Sequence, residues 1–395
     1  MSAPVNIFLS AGEASGEHYG AALIPALRAH HAEARFFGLG GRRMEALGME
    51  RVVRAEDVAV MGITEVVRHM PRIYGEYLRL KRSIMARKPD LAILIDFPDV
   101  NLSLARTLHE LGTPVLYFVS PQLWAWKKYR IRKVRRYVDR MLVIFPFEEA
   151  FYHSHGVQAE FVGHPLAELP LPAISRSEFA AAHGLDPAKH WVGLLPGSRG
   201  KEIRLNLPEM IAAAAQLGPQ HEYVLPLAPS LTKAQMDHVR ESLSGLLARH
   251  QHPLRVTVVS DARAALMHAR ASVVASGTAT VEAALIGSPF VVVYRISPLS
   301  YAIAKRVVTV PHVAMANLIA GRRVVPELIQ GDFTAARLVR EMLPLLDNED
   351  ARARMMTELQ EIRGKLTTAD GSAIARVARA AEEMLQNRSL RRLLE

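Results

Sequence analysis

The sequence predicts an α/β protein of two doubly wound domains followed by a helical tail. Three observations carry that prediction. Short apolar, β-branched runs alternate with longer helical patterns from residue 5 to about 162, and the same rhythm restarts at about 191 and runs to 294, as expected of βαβ units in parallel sheets. Between the two stretches, Gly163–Ser175 holds three prolines and little periodicity, the composition of a linker. The length of 395 residues suits two large domains at roughly 100 to 200 residues each. The expected boundaries are 1–168, 169–365 and a tail of 366–395 that packs on the first domain or on a partner subunit.

In the first domain, strands are expected at 5–10, 34–38, 91–95, 115–119, 141–145 and 160–162, each a short apolar run. Helices at about 16–30, 65–87, 100–111, 127–137 and 147–154 fill the connections. In the second domain, strands are expected near 191–195, 222–227, 254–259, 271–275 and 290–294, with helices between them. From about 333 the chain is rich in Ala, Leu, Glu and Arg and reads as helix alone, with no strand to pair. Two open α/β domains on a short linker place a ligand site in an inter-domain cleft, at the carboxyl ends of the strands.

Composition narrows the function classes. Lys and Arg outnumber Asp and Glu by 49 to 39, giving a net charge of +10, so an acidic partner is expected. The chain has no cysteine, which excludes disulfides, thiolate metal sites and a cysteine nucleophile. Val5–Leu9 is too short for a signal-peptide core, and no run approaches the roughly 18 apolar residues of a spanning helix. A soluble or peripheral protein of the cytoplasm is expected. The charge is concentrated: residues 66–88 carry a net +6 and residues 125–140 a net +7, leaving the rest slightly acidic. In 66–88 the basic residues are mixed with Val66, Val67, Met70, Ile73 and other apolar side chains, a pattern suited to anionic lipid. Nucleic-acid binding, through arginines interleaved with tyrosines, is the rival reading, and a solvated charged face is the plainer one.

Four strand ends carry chemistry. Ser10–Gly20, a run of small residues leading into a helix, lets backbone approach a ligand and offers helix N–H groups to an anion; the simpler reading is a tight turn capped by Ser15. Gly12-Glu-Ala-Ser-Gly16 is one position off the nucleophile-elbow pattern, which disfavours a serine hydrolase. Asp96 follows the buried run Leu91–Ile95, where partial desolvation suits a carboxylate for general-base work. Asp99 is assigned instead to capping a helix from about Val100. Gly197, Ser198, Arg199 and Lys201 stand together between a strand and a helix, a composition suited to a diphosphate. Ser276, Gly277 and Thr278 open another helix and suit phosphate, with Glu282 a turn further on within reach of ribose hydroxyls. Each of these junctions is also open to a plain capping role. Gly38-Leu-Gly-Gly-Arg-Arg lacks the third glycine of a dinucleotide loop. Neither D-x-D at a strand end nor H-E-x-x-H occurs, so no metal motif is present.

Taken together, these segments resemble the lipid-A-disaccharide synthase family, inverting glycosyltransferases of the GT-B fold. The matching motifs are Ala11-Gly-Glu-Ala-Ser-Gly16, Val60-Met-Gly-Ile63, Ile95-Asp-Phe-Pro-Asp99, Val119-Ser-Pro-Gln-Leu-Trp-Ala-Trp126, Phe145-Pro-Phe-Glu148, Val162-Gly-His164, Leu195-Pro-Gly-Ser-Arg199, Ala275-Ser-Gly-Thr278 and Asn317-Leu318, in family order over almost the whole chain. Two departures are Glu17 in place of the usual aspartate and Val100 in place of phenylalanine.

The resemblance implies two Rossmann-like domains and transfer of the sugar of UDP-2,3-diacylglucosamine to the 6-hydroxyl of 2,3-diacylglucosamine 1-phosphate, giving a β-1,6 disaccharide and UDP. Asp96 would be the base, and Arg199, Ser198 and the helix opening at Ser276–Thr278 would stabilise UDP without a metal or other cofactor. Glu282 would hold the ribose, with Asn317, Glu327 and Gln330 as further donor-site candidates and Ser15 and Glu17 on the acceptor side. Val66, Val67, Arg68, Met70, Arg72, Ile73, Arg79 and Arg82 would face the anionic inner membrane, making the enzyme cytoplasmic and peripheral. The resemblance implies no nucleic-acid partner and leaves a homodimer open. Another UDP-sugar enzyme of the same fold, such as a UDP-N-acetylglucosamine transferase or 2-epimerase, is the alternative, and the basic-apolar segment 66–88 argues against it.

Overall fold

The computed structural model describes residues 4–58, 63–229, 231–250, 254–307 and 310–394, with side chains for all of these except 14, 63–70, 299, 303, 304, 307 and 391–394. The chain divides into two compact units, residues 1–168 with 366–395, and residues 169–365. The first unit is built on β1 (Asn6–Ala11), β2 (Arg35–Gly40), β3 (Met49–Arg54), β4 (Leu91–Ile95), β5 (Val115–Phe118), β6 (Arg140–Val143) and β7 (Ala159–Phe161), in the order β3-β2-β1-β4-β5-β6-β7. The second holds β8 (Trp191–Leu195), β9 (Glu222–Pro226), β10 (Val256–Val259), β11 (Ala271–Ala275), β12 (Phe290–Tyr294) and β13 (Glu327–Ile329), in the order β10-β9-β8-β11-β12-β13. Every strand pair is parallel. Strand order reverses between β1 and β4 in one unit and between β8 and β11 in the other. A doubly wound sheet opens a crevice at such a switch point, outside the carboxyl ends of the strands.

The central strands are predominantly apolar because helices cover both faces, with Ser10 and Ser272 as buried polar exceptions. All five residues of β4, β8 and β11 are buried. Two strands, β3 and β13, lie outside the sequence expectation, and both are sheet edges. In β3, Met49 and Val53 point inward while Glu50 and Arg54 are exposed, and Glu50 pairs with Arg87. An edge strand buried on one side needs no apolar run, so it leaves a weak signal.

The helix Ile63–Arg87 is continuous through Pro71. Leu80 and Ile84 are buried in the core of the first unit, and the Tyr77 hydroxyl lies 2.9 Å from that of Ser103. Arg72, Arg79 and Arg82 are exposed and Ile73 is half-buried. Arg72 bonds Asp57 at 2.5 Å and Arg79 bonds Glu76 at 3.0 Å. Part of the basic excess is therefore paired locally. The side chains of Val66, Val67, Arg68 and Met70 lie outside the described residues. Among the described residues, no helix is long and apolar enough to cross a membrane.

The helices after β13 divide between the units. Ala335–Asp347 packs on Gly200–Leu217 in the second unit. The last helix, Ala373–Leu394, packs on Ala14–His30 in the first, burying Val377, Ala381 and Leu385. Arg388 caps the contact by donating to the Pro89 carbonyl at 2.8 Å, and Arg140 reaches Glu383 at 2.5 Å.

Candidate active site

In the first unit, the crevice lies where β1 and β4 end. Asp96 and Phe97 follow β4 with φ of 47° and 49°, the left-handed region that costs a non-glycine residue energy. Pro98 sets this up: it bars the helical conformation from the residue before it and is pre-shaped for the first turn of a helix, here Pro98–Glu110. Asp99 accordingly sits inside the first turn rather than at the cap expected for it. Three bonds fix the strained backbone. Asn101, fully buried, donates to the Asp96 carbonyl at 2.7 Å, the Tyr117 hydroxyl donates to the same carbonyl at 2.6 Å, and the Asp96 amide donates to Phe118 at 3.0 Å. Asn101 is itself held by the Ser10 hydroxyl at 2.6 Å. Burial pushes the Asp96 carboxyl up to about 7, the Glu13 carboxylate adds to that, and the Phe97 amide opposes it. A carboxylate tuned near neutrality and aimed from a rigid turn is what a general base requires.

Gly12 belongs to this arrangement. A Cβ there would lie 2.4 Å from the Phe97 ring, so only glycine lets β1 end against that side chain. Gly12→Ala is expected to displace Phe97 and Asp96 together, lowering kcat about 100-fold for a stability loss of about 1–3 kcal/mol. Steady-state kinetics beside a denaturant melt would check this, and an unchanged kcat would remove Gly12 from the site. Ser15 is half-buried in the first turn of Ala14–His30, whose Gly16 packs against Ile95. Glu17, expected on the acceptor side, accepts from the Arg43 amide at 2.8 Å. It caps the helix after β2, and its carboxylate fills the space a Cβ on Gly41 would need.

A second carboxylate, not singled out for a role from sequence, stands behind the neighbouring loop. Glu148 is 1% exposed and accepts from the Ser120 hydroxyl at 2.6 Å, the Trp124 indole at 3.0 Å and the Phe145 amide at 3.2 Å. Burial pushes its pKa up to about 7 against the pull of those donors. His164 is also buried and is held neutral, its pKa lowered by burial to about 3; its ring accepts from the Leu166 amide at 3.1 Å.

In the second unit, the crevice lies where β8 and β11 end. Pro196, Gly197 and Ser198 lead to Arg199, the residue before the helix Gly200–Leu217. Asn206, buried in that helix, donates to the Pro196 carbonyl at 2.9 Å and holds the loop. Glu202 accepts from the Ser198 amide at 3.1 Å and from Arg199 at 3.2 Å. Its carboxylate thus occupies the donors that an anionic ligand would use. Tyr294, at the end of β12, adds a phenol whose pKa is raised by burial and by Glu202 and lowered by Arg199. Across the switch point, Gly277 and Thr278 are exposed at the start of Thr278–Ile286, and the position of a Gly277 Cβ is open space. The space beside Gly277 is thus open to an anion approaching the helix start. Glu282 is half-buried a turn further on, raised in pKa by burial, with Arg263 opposing.

The three remaining donor-site candidates also make bonds within the protein. Asn317 is fully buried, accepting from the Val324 and Val325 amides at 2.7 and 2.9 Å and donating to Glu327 at 2.7 Å. Glu327 accepts from the Val313 and Ala314 amides at 3.1 and 3.0 Å, and Gln330 donates to the Ile296 carbonyl at 3.1 Å. Asn317 and Glu327 form a frame. The Val313 carbonyl at its edge accepts from the Ser276 hydroxyl at 3.4 Å, so both support the phosphate-type turn from behind. Sequence position alone cannot separate a polar side chain facing a ligand from one facing backbone. Among the described residues, no group of three or more His, Asp and Glu side chains is arranged to share a cation.

The family model for lipid-A-disaccharide synthetase matches residues 7–380. A lipid-A-disaccharide synthase of Acidobacterium capsulatum is 80% identical over 394 residues, covering 98% of both chains. That of Koribacter versatilis is 52% identical over 387 residues, covering 97% of this chain and all of its own. Among solved structures, the glycotransferase of kitacinnamycin superposes with a TM-score of 0.63 at 15% identity, covering 97% of this chain and 100% of that one. A UDP-GlcNAc 2-epimerase of Neisseria meningitidis bound to UDP-GlcNAc gives 0.56 at 14% identity, covering 97% and 99%. At such identities the solved structures establish the GT-B-like fold alone, whereas the sequence matches establish more: the chain belongs to the lipid-A-disaccharide synthase family of glycosyltransferases.

Proposed function

We propose that the protein joins UDP-2,3-diacylglucosamine to 2,3-diacylglucosamine 1-phosphate in lipid A biosynthesis, releasing UDP and forming a β-1,6 disaccharide by inversion. The observation that carries the reading is Asp96, a strained and desolvated carboxyl with a pKa near 7 at the switch point of the first unit. The acceptor's 6-hydroxyl is a weak nucleophile until its proton is removed as the new C–O bond forms, and Asp96 takes that proton. On the opposite face of the sugar, the bond to the diphosphate breaks and its electron pair leaves with UDP. Arg199, the Ser198 amide and the helix start at Thr278 meet that developing charge. Glu202 must give up Arg199 for this to happen, and Glu282 is the group placed to hold the ribose. The test is to mix purified protein with both acylated substrates and follow UDP and disaccharide. Transfer that is unaffected by Asp96→Ala would remove the assigned base.

Both substrates carry acyl chains, so the enzyme must work at the membrane surface. The helix Ile63–Arg87 supports peripheral attachment to anionic inner-membrane lipid, with Arg72, Arg79 and Arg82 exposed along it. Each basic side chain near such a surface contributes about 1 kcal/mol. Replacing Arg68, Arg72, Arg79 and Arg82 by glutamine is expected to weaken flotation with anionic vesicles by about 100-fold or more. Unchanged flotation would place the attachment surface elsewhere.

A further inference from the structure

The segment after β5 bears features that the transfer step above does not use. It begins with Val119 at φ 63° and turns again at Lys127, φ 52°. Left-handed conformations in a β-branched residue and a lysine persist only where the surroundings over-determine them. Here the buried Glu148 does so, gripping Ser120 and Trp124 from below. The result is a rigid loop whose exposed tip carries Trp126, 43% exposed, with the Lys127 ammonium 4.2 Å from the centre of its ring.

Two cations of this loop converge on one exposed carboxylate. Arg130, its side chain only 14% exposed, bonds Asp99, which is 69% exposed, and Lys127 Nζ lies 3.9 Å from the same oxygen. Asp99 is in the first turn of the 13-residue helix Pro98–Glu110, whose positive end adds to the field. It is also three residues beyond Asp96, across the left-handed turn at Asp96 and Phe97, so the cations and the base are held at one strand-to-helix junction. In the acceptor, C1, which bears the phosphate, and C5, which bears the 6-hydroxymethyl group, flank the same ring oxygen, so the phosphate lies on the same side of the ring as the hydroxyl that Asp96 would deprotonate.

We propose that Lys127 and Arg130 bind the phosphomonoester of the acceptor, that Trp126 walls the site, and that Asp99 is an internal carboxylate which the phosphate displaces. The inference rests on the acceptor named above and goes beyond it by assigning its anionic group to residues. A planar guanidinium fork beside an ammonium suits a dianion better than a monoanionic carboxylate, and burial of the Arg130 stem makes the fork pre-organised.

The test compares acceptors bearing a 1-phosphate and a 1-hydroxyl with full-length protein in mixed micelles, alongside flotation on anionic and zwitterionic vesicles. The wild type is expected to favour the phosphorylated acceptor about 10–100-fold in kcat/KM, the usual worth of charge-assisted hydrogen bonds. In Lys127→Ala/Arg130→Ala that preference collapses toward one, through KM for the phosphorylated acceptor. Asp99→Asn, at an exposed position that leaves folding intact, is expected to lower that KM several-fold by removing the competing carboxylate. Equal slowing of both acceptors in both variants would overturn the site. So would loss of anionic-vesicle binding with the preference intact, which would assign the cations to the lipid surface. Absence of transfer by the wild type with either acceptor would overturn the reaction itself, and the site with it.

Discussion

Asp96→Asn is expected to lower kcat for disaccharide formation about 10²–10⁴-fold, the range for loss of a general base, and at the same time to make the protein more stable at alkaline pH. The second effect follows from the fold. The Asp96 carboxyl is raised from 3.8 to about 7, so between those values the unfolded chain ionises it while the folded chain keeps the proton. The unfolded state therefore binds fewer protons, and stability falls as pH rises through this window, by about 1.4 kcal/mol per pH unit at most. Above about pH 7 the folded protein holds a desolvated charge that asparagine lacks. Denaturant melts of the two proteins should diverge between pH 4 and 8 by a few kcal/mol, with the variant ahead at pH 8. Glu148 also titrates near 7, but it is present in both proteins and drops out of the difference. A variant equally stable at every pH would mean that Asp96 is not desolvated as described.

Arg199→Ala is expected to lower kcat/KM about 10²–10³-fold, because a charged donor to the departing diphosphate is lost. Arg199→Lys restores little of it: an ammonium is a point charge and cannot match the two-pronged geometry of a guanidinium. The same contact predicts the opposite effect for Glu202→Gln. With its charge gone, Glu202 competes less for Arg199 and the Ser198 amide, and UDP should bind several-fold more tightly by calorimetry. If UDP affinity and turnover of Arg199→Ala match the wild type, the diphosphate is held elsewhere.

The parts of the site legible in the sequence are those that backbone dictates. A wholly apolar strand followed by Asp-Phe-Pro-Asp announces a buried parallel strand and a helix start, and the structure has both, adding a left-handed turn at Asp96 and Phe97 that the sequence does not announce. The Pro196–Arg199 and Ser276–Thr278 junctions announce themselves in the same way, by small residues between a strand and a helix. What the sequence conceals is the direction of polar side chains over long separations. Glu148 reaches back 28 residues to Ser120, and Asn101 reaches back 91 to Ser10, with no local pattern to mark either. Asn317 and Glu327, both donor-site candidates, bond each other as well as backbone groups, and Gln330 bonds the Ile296 carbonyl, contacts that no local pattern marks. Glu17, the acceptor-side candidate, bonds the Arg43 amide 26 residues away, a contact equally unmarked. The edge strands β3 and β13 escaped notice because one-sided burial and a length of three residues in β13 leave no apolar run.

In the proposed reaction Asp96, tuned near neutrality, drives transfer between two acylated glucosamines. That role is tested most directly by the rate of UDP and disaccharide formation from the two acylated substrates as a function of pH. Equimolar products are expected, with kcat/KM rising about tenfold per pH unit up to about 7 and levelling above it. A rate that stays flat down to pH 5, or UDP released without disaccharide, would contradict it.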